Sequence, residues 1–568
     1  MALRITFKDY LLENRLFLGR AVEAMAICCV LIIAVVARLV YLQVLHHDYY
    51  TELSLDNRVR LVPIPPTRGL IYDRNGILLA ENLPSYRLEI IPEQVKDLDS
   101  TLAGLAEFIQ LRDSDRQRFA RLRHRMRGFE SVPLRFHLTE KEVARFAVNR
   151  YRFAGVDIKA GLARHYPLGR LAVHAIGYVG RIDEQDVQQL ESVNYRGTTH
   201  IGKVGVEKYY EDLLHGRVGY QQVETNSEGR VIRVLHRTAP APGPNLYLHL
   251  DSRLQAVAER ALGDFHGAIV ALDPRTGAVL TLVSLPSYDP NPFVNGIEVE
   301  DYRTLRTDRG RPLFNRVVRG QYPPGSTLKP FAGLAGAELG VTNLYGRTYC
   351  PGYFTLAGGQ HKYRDWKRGG HGSVNLISAI VESCDVYFYD LALAMGIDRM
   401  HDALEPFGFG QLTEIDLSGE LTGLLPSRAW KRRARSEPWY TGETLISGIG
   451  QGFNLVTPIQ LAAVTATLAT YGKRVRPQIV YAVEDTRQGT LTPQAAHYLQ
   501  PVPIVAQSNW DAVIDAMVQV VHGRRGTARH IGLNAPYRIA GKTGTAQVFG
   551  LKEAQEYKPD EIAKRLRD

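Results

Sequence analysis

A chain of 568 residues, 45% of them hydrophobic, is too long for one ordinary core and has enough apolar content to build two or more globular domains. The formal charge of +10 is spread over isolated Arg and Lys residues and two short runs, RLRHRMR (121–127) and KRRAR (431–435). No aromatic-interleaved stripe accompanies them, so they read as solvated faces and no nucleic-acid partner is expected.

The first element is AMAICCVLIIAVVA (24–37), which is uncharged and continues past Arg38 through LVYL. At about 1.5 Å per residue a helix from Ala24 to Leu42 covers nearly ~30 Å, the thickness of a bilayer core. Arg38 is tolerable near an interface, where it snorkels outward. The following RLVYLQVLHHDYY offers no small-x-small cleavage site, so the segment reads as an uncleaved anchor over 21–45 and not as a signal peptide. Arg4, Lys8, Arg15 and Arg20 precede it, which places the tail, 1–20, in the cytoplasm and the remainder outside.

Next, VPIPPTRGLIYDRNGILLAENLPSYRLEII (62–91) alternates apolar runs with turn residues and predicts strands and hairpins. Residues 100–150 carry helical spacing, with Thr139 as an N-cap and Glu142 three residues later. The proline-rich TAPAPGPN (238–245) reads as a linker, dividing a first domain at 46–240 from a second at 241–568. In the second, AIVALDPRTGAVLTLVS (268–284) is a hairpin around DPRTG, helices follow in STLKPFAGLAGAELG and NLISAIVES, and YRIAGKTGTAQV (537–548) predicts a returning strand. Fold class is therefore α+β, helices packed on an antiparallel sheet.

Three short motifs carry chemistry. In YPPGSTLKPF, Ser326 and Lys329 stand three apart at a predicted helix start, so hydroxyl and amine share a face. Serine needs an adjacent base, and a lysine serves if desolvation or a nearby cation lowers its pKa. Ser383, Cys384 and Asp385 close a helical run, and Lys542, Thr543, Gly544 and Thr545 lie on the predicted strand, where Gly544 leaves room for a ligand backbone. Each motif is weak alone, but S-x-x-K, S-x-D and K-T-G in this order form a combination found in penicillin-interacting enzymes.

The chain resembles the class B penicillin-binding proteins, and within them the elongation-specific transpeptidases. The resemblance spans nearly the whole length, including RGLIYDRNGILLA (68–80), HAIGYVGRI (174–182), GKVGVEKYYEDLLHG (202–216), FNRVVRGQYPPGSTLKP and GIGQGFNLVTPIQLA (448–462). It implies an anchor in the inner membrane, a pedestal, and a periplasmic D,D-transpeptidase domain that cross-links peptidoglycan stem peptides and is acylated by β-lactams. By the same resemblance Ser326 is the nucleophile, Lys329 its base, Ser383 a proton relay, and Lys542 a helper that attracts the terminal carboxylate. Thr543 and Thr545 bind that carboxylate, and the backbone N–H groups of Ser326 and Thr545 form the oxyanion hole. The pedestal implies a SEDS-type glycan polymerase and a rod-complex scaffold as partners. Asp385 stands where most relatives have asparagine. It is expected to pair with Lys542, whose remaining charge then lowers the pKa of Lys329. The family continues past KTGTAQ with two strands and a helix, whereas VFGLKEAQEYKPDEIAKRLRD here has no strand pattern, so the chain reads as C-terminally incomplete.

The chemistry requires no cofactor. Cys28 and Cys29 lie in the apolar helix, which leaves Cys350 and Cys384 outside the membrane. With Asp365 and His371 they supply a ligand set acceptable for structural zinc, His361 being the alternative imidazole; a disulfide or two unpaired thiols are the competing readings. The resemblance tilts this toward zinc. Two further functions share these features. A penicillin sensor or β-lactamase would have the serine motifs without needing the 46–240 segment, and a non-catalytic regulatory or scaffolding subunit would act through that segment alone.

Overall fold

The computed structural model describes residues 10–48, 59–124, 128, 131–190, 193–226 and 231–546. An apolar helix runs Tyr10–Val40 and continues as a π-helical turn Tyr41–Leu45. Within its membrane-length part, Asn14–Leu45, an 18-residue stretch has mean hydropathy 2.7 and is not buried by other parts of the protein. The helix begins well before the expected anchor boundary at residue 21, so Arg15 and Arg20 sit on it as a basic collar. The Arg38 guanidinium lies 5.1 Å from the Tyr41 ring centroid, an aromatic neighbour suited to an interfacial arginine.

Beyond the anchor, Val59–Ile64, Gly219–Thr225 and Val231–Thr238 form a three-stranded antiparallel sheet. A second sheet is organised by the long strand Leu78–Ile90, which pairs with both Val132–Leu138 and Val156–His165. The helices Leu98–Ala106, Asp113–Arg123 and Glu140–Asn149 close its apolar side over Leu88, Ile90, Phe119 and Phe146. The last of them starts as its sequence predicts: Thr139 Oγ1 accepts from Glu142 N at 3.3 Å, and Glu142 Oε2 accepts from Thr139 N at 2.9 Å. A buried ion cluster joins two segments distant in sequence. Glu207, fully buried, accepts from Arg68 Nε and Arg164 Nε, each at 2.7 Å.

The proline-rich stretch after Thr238 is not a loose tether. Arg217 and Ala241 exchange backbone hydrogen bonds, and Gly243 N donates to Thr67 O at 2.9 Å. A Cβ on Gly69 would stand 1.9 Å from Pro244 O, so this junction is packed backbone against backbone. Immediately after it, Asn245–Leu248 pairs in parallel with Ile71–Tyr72 and antiparallel with Val480–Asp485. One sheet therefore runs through the boundary placed at 240/241. Composition marks the absence of local periodicity there; it does not report long-range pairing.

In the second half the predicted hairpin is present as Gly267–Leu272 and Val279–Leu285, turned at Gly277 (φ 77°). Its helices build a core around Phe331, Leu376, Phe388 and Trp510. The expected strand over 537–548 does not form a ladder: described residues to 546 pair with no strand. Their donors go elsewhere, Ile539 N to His522 Nε2 at 2.9 Å and Gly541 N to Met517 O at 3.0 Å, both on the Gln507–His522 helix. Alternation makes a segment extended, but a strand also needs a neighbour. Residues 547–568, including the end of the predicted strand and the tail after it, lie outside the described residues.

Candidate active site

Gly325–Leu328 forms a 3-10 turn that runs directly into the helix Lys329–Glu338, and Pro330 occupies its first turn. In a 3-10 turn positions i and i+3 eclipse, so Ser326 and Lys329 project from one side. Gly325 has φ 55°, and a Cβ there would lie 2.5 Å from Thr545 O, so only glycine lets the 542–545 segment close over this turn. Ser326 is half-buried, whereas Lys329 is completely buried in an apolar helix and must find polar partners at its tip.

It finds three. Lys329 Nζ donates to Asp385 Oδ1 at 2.7 Å, to Ser383 O at 2.8 Å and to Ser383 Oγ at 3.3 Å. Ser383 occupies the junction between the helices Leu376–Val381 and Asp385–Met395, at φ 57°, a left-handed conformation costly for a residue with a Cβ. That twist turns its carbonyl and its hydroxyl toward the same lysine. Asp385 pairs with Lys329 and not with Lys542, contrary to expectation, because the buried ammonium lies within reach of its carboxylate at the helix start. The other carboxylate oxygen, Oδ2, accepts from Trp366 N at 3.0 Å, and the Trp366 indole N–H donates to Ser383 O at 3.1 Å. Trp366 holds both ends of the motif, and nothing in the sequence but its place beside Asp365 pointed to it.

Lys542 approaches from the opposite side. Its Nζ donates to Ser383 Oγ at 2.9 Å and to Thr543 O at 2.9 Å. Burial, reinforced by the charge of Lys329 and opposed by Asp385, brings its pKa down to about 7. The Thr543 and Thr527 hydroxyls are 2.7 Å apart, and Gln451 Nε2 donates to Thr545 O at 2.7 Å. Thr527 and Gln451 were missed as site residues, although Gln451 stands between the glycines of GIGQGFN. Gly544 and Thr545 are exposed, and a Cβ on Gly544 would lie 2.8 Å from Thr327 Cγ2. The result is one polar chain, Asp385, Lys329, Ser383, Lys542, Thr543, alongside a half-buried serine. Such a chain can move a proton between two amines through one hydroxyl.

Behind this chain the ligand atoms of Cys350, Asp365, His371 and Cys384 all lie within 4.8 Å of one another. Both thiols are buried and free, so the disulfide is not formed. His371 Nδ1 is 3.5 Å from Asp365 Oδ1 and 3.6 Å from Cys350 Sγ, while its Nε2 is buried without a hydrogen-bond partner. His361 is exposed, packs on Tyr363, and is not in the group. Burial, then the charge of Asp365, pushes the Cys384 thiol far up; burial chiefly raises Cys350 as well. Burial opposes ionisation of Asp365, but the His371 ring and backbone N–H donors hold its carboxyl well below the usual range. A thiol so disfavoured as thiolate is no nucleophile. The same set, two thiols, a carboxylate and an imidazole with ligand atoms within 4.8 Å of one another, offers the donor types that zinc takes.

Residues 267–563 match the family described as penicillin binding protein transpeptidase domain, and residues 63–248 match the penicillin-binding protein dimerisation domain. The chain is 43% identical over 572 aligned residues to the peptidoglycan D,D-transpeptidase MrdA of Escherichia coli K12, across 100% of this chain and 90% of that protein. Among solved structures it is similar to Pseudomonas aeruginosa PBP2 in complex with WCK 5153, with TM-score 0.66, 43% identity and 86% of each chain covered. It is also similar to the PBP2 chain in the complex with MreC from Helicobacter pylori, with TM-score 0.76, 30% identity, and coverage of 86% of this chain and 90% of that one.

Proposed function

The chain belongs to the class B penicillin-binding proteins, in the branch of peptidoglycan D,D-transpeptidases that serves cell elongation, and from this premise we propose the part each residue takes. It is a serine-type transpeptidase and a β-lactam target. Ser326 Oγ attacks the carbonyl between the two terminal D-alanines of a donor stem. The amide C–N bond breaks, D-alanine leaves with a proton, and an ester to Ser326 remains. The amine of a neighbouring stem then attacks that ester and restores the hydroxyl; water in its place gives the carboxypeptidase-type, hydrolytic outcome.

The observation that carries the assignment is that Ser383 Oγ bridges both lysines, one of them with a pKa of about 7. Lys542 is neutral above that value and takes a proton handed on through Ser383 Oγ. Lys329, relieved of it, accepts the proton of Ser326 Oγ, and the return path delivers it to the leaving amine. Asp385 Oδ1, 2.7 Å from Lys329 Nζ, holds that amine in place between turnovers. Thr543, Gly544 and Thr545 line the donor's terminal carboxylate, and the Ser326 and Thr545 N–H groups receive the developing oxyanion.

The experiment is the pH dependence of penicillin acylation. Protonated Lys542 cannot accept, so the rate falls as pH drops through about 7. Lys542→Ala removes that limb and slows acylation by roughly 10²–10⁴. An acid limb unchanged in Lys542→Ala would overturn the assignment.

Cys350, Asp365, His371 and Cys384 hold a structural zinc in this reading, which supplies the positive charge that lets two buried thiols ionise. The pedestal, 46–240, binds a rod-complex scaffold and a SEDS-type glycan polymerase. Supporting this, Leu61, Val231, Ile232, Val234 and Leu235 are exposed on its three-stranded sheet. The anchor places the tail in the cytoplasm and both domains in the periplasm, as the basic residues at its start favour.

A further inference from the structure

A cleft of about 680 Å³ opens away from the catalytic residues, between the pedestal and the loop that follows the helix Asn291–Asn295. The pedestal side supplies Arg118, Arg121, Phe136 and Arg181, and the catalytic domain supplies Glu298 and Glu300. An ion pair between Arg112 and Glu298 ties the two sides at the rim.

Of its arginines, Arg112, Arg118 and Arg135 are ion-paired, with Glu298, Asp115 and Glu142, whereas Arg181 is placed differently. The Arg181 guanidinium carbon lies 4.2 Å from the centroid of Phe136, and that of Arg118 lies 4.9 Å from the same ring. Two like charges thus share one aromatic side chain. Arg118 has Asp115 as counter-ion and donates to Leu134 O at 3.3 Å, but its buried Nε has no partner among the described residues. Among the described residues Arg181 pairs with no carboxylate, and its only hydrogen bond is a long one, 3.5 Å, to Asn295 O. Burial first, then the neighbouring Arg118, lowers its pKa to about 10. A desolvated guanidinium beside a second one is a place where a carboxylate is strongly favoured, since the planar fork binds it in bidentate fashion.

The other wall narrows the ligand. There Glu298, ion-paired with Arg112, and Glu300, ion-paired with Arg303, bring two carboxylates to the same cleft, which disfavours a polyphosphate and favours an ammonium group. We propose that this cleft is a second peptide site, distinct from the catalytic cleft, for a zwitterionic stem peptide whose carboxylate lies on Arg118 and Arg181 over Phe136 and whose side-chain amine faces Glu298 and Glu300. A stem held there is presented to the enzyme before or after cross-linking, and because both domains line the cleft, its occupancy bears on how they sit together.

The test uses the full chain in detergent with Ser326 first acylated by penicillin, so that the catalytic cleft is filled. The probe is Nα-acetyl-Lys-D-Ala-D-Ala, followed by calorimetry. Saturable binding is expected, weakened at least tenfold by Arg181→Gln and equally by acetylating the lysine amine of the probe. Arg181→Gln is expected to keep the wild-type melting temperature and penicillin acylation rate. Should it melt lower, Arg121→Gln, an exposed residue that adds positive charge to the same wall, takes its place with a smaller but measurable expected loss. Absence of saturable binding to the acylated chain, indifference of binding to both variants, or inorganic pyrophosphate binding as tightly as the peptide would each overturn the proposal.

Discussion

At the scale of single residues the decisive one is Asp385. Its carboxylate takes the Lys329 ammonium on one oxygen and the Trp366 N–H on the other, and its own N–H donates to Asp365 Oδ2 at 2.8 Å. Lys329 has no exposed surface and Asp385 only 12% of its side chain, so screening by water is slight. Asp385→Ala leaves an ammonium buried without its counter-charge, a loss of about 3–5 kcal/mol that urea unfolding would register. Asp385→Asn keeps an oxygen acceptor for Lys329 Nζ and is expected to cost distinctly less. Equal losses in the two variants would mean the charge pair is not what matters. Order and spacing along the chain named both lysines but could not say which of them meets the carboxylate. That is set by the left-handed turn at Ser383 and by the depth of Lys329, and neither is visible in a motif.

At the scale of elements, the 350–371 loop and the turn at Ser383 are held to each other through Asp365. Its Oδ2 receives both Asp385 N and Val386 N, while the two thiols and the imidazole gather around it. Zinc here would clamp the loop to the segment that carries two catalytic groups. Chelation is therefore expected to lower the melting temperature and the rate of penicillin acylation together, and added zinc to restore both. Elemental analysis of metal-replete protein showing no zinc, or a chelated protein with unchanged melting, would remove the metal from this account. The sequence proposes the grouping of these four residues and their ligand atoms do gather, but spacings of 15, 6 and 13 residues match no standard zinc pattern, so the sequence leaves a disulfide and unpaired thiols open beside it. The hairpin at 267–285 and the capped helix at 140 were legible because turn and cap chemistry act over four residues. The strand expected at 537–548 failed because pairing is decided by neighbours and not by alternation.

For the whole molecule, the proposed reading puts catalysis and docking in different parts of one chain. Ser326→Ala is expected to abolish covalent penicillin labelling while the protein still stimulates glycan polymerisation by its partner, measured with the reconstituted pair. Loss of both activities, in a variant that melts like the wild type, would show them inseparable. Sequence alone carries the local and the chemical: a bilayer-length apolar helix, three short serine, lysine and threonine motifs in a fixed order, four potential metal ligands, and a family resemblance that runs from the apolar helix to K-T-G. What only the tertiary structure decided is which charges meet. Lys329 pairs with Asp385, Lys542 loses its proton affinity to burial, the sheet runs through the proline-rich junction, and Arg181 shares Phe136 with Arg118. These depend on desolvation and on contacts between residues far apart in the chain, and a burial cost is a property of the packed interior that no stretch of sequence carries alone.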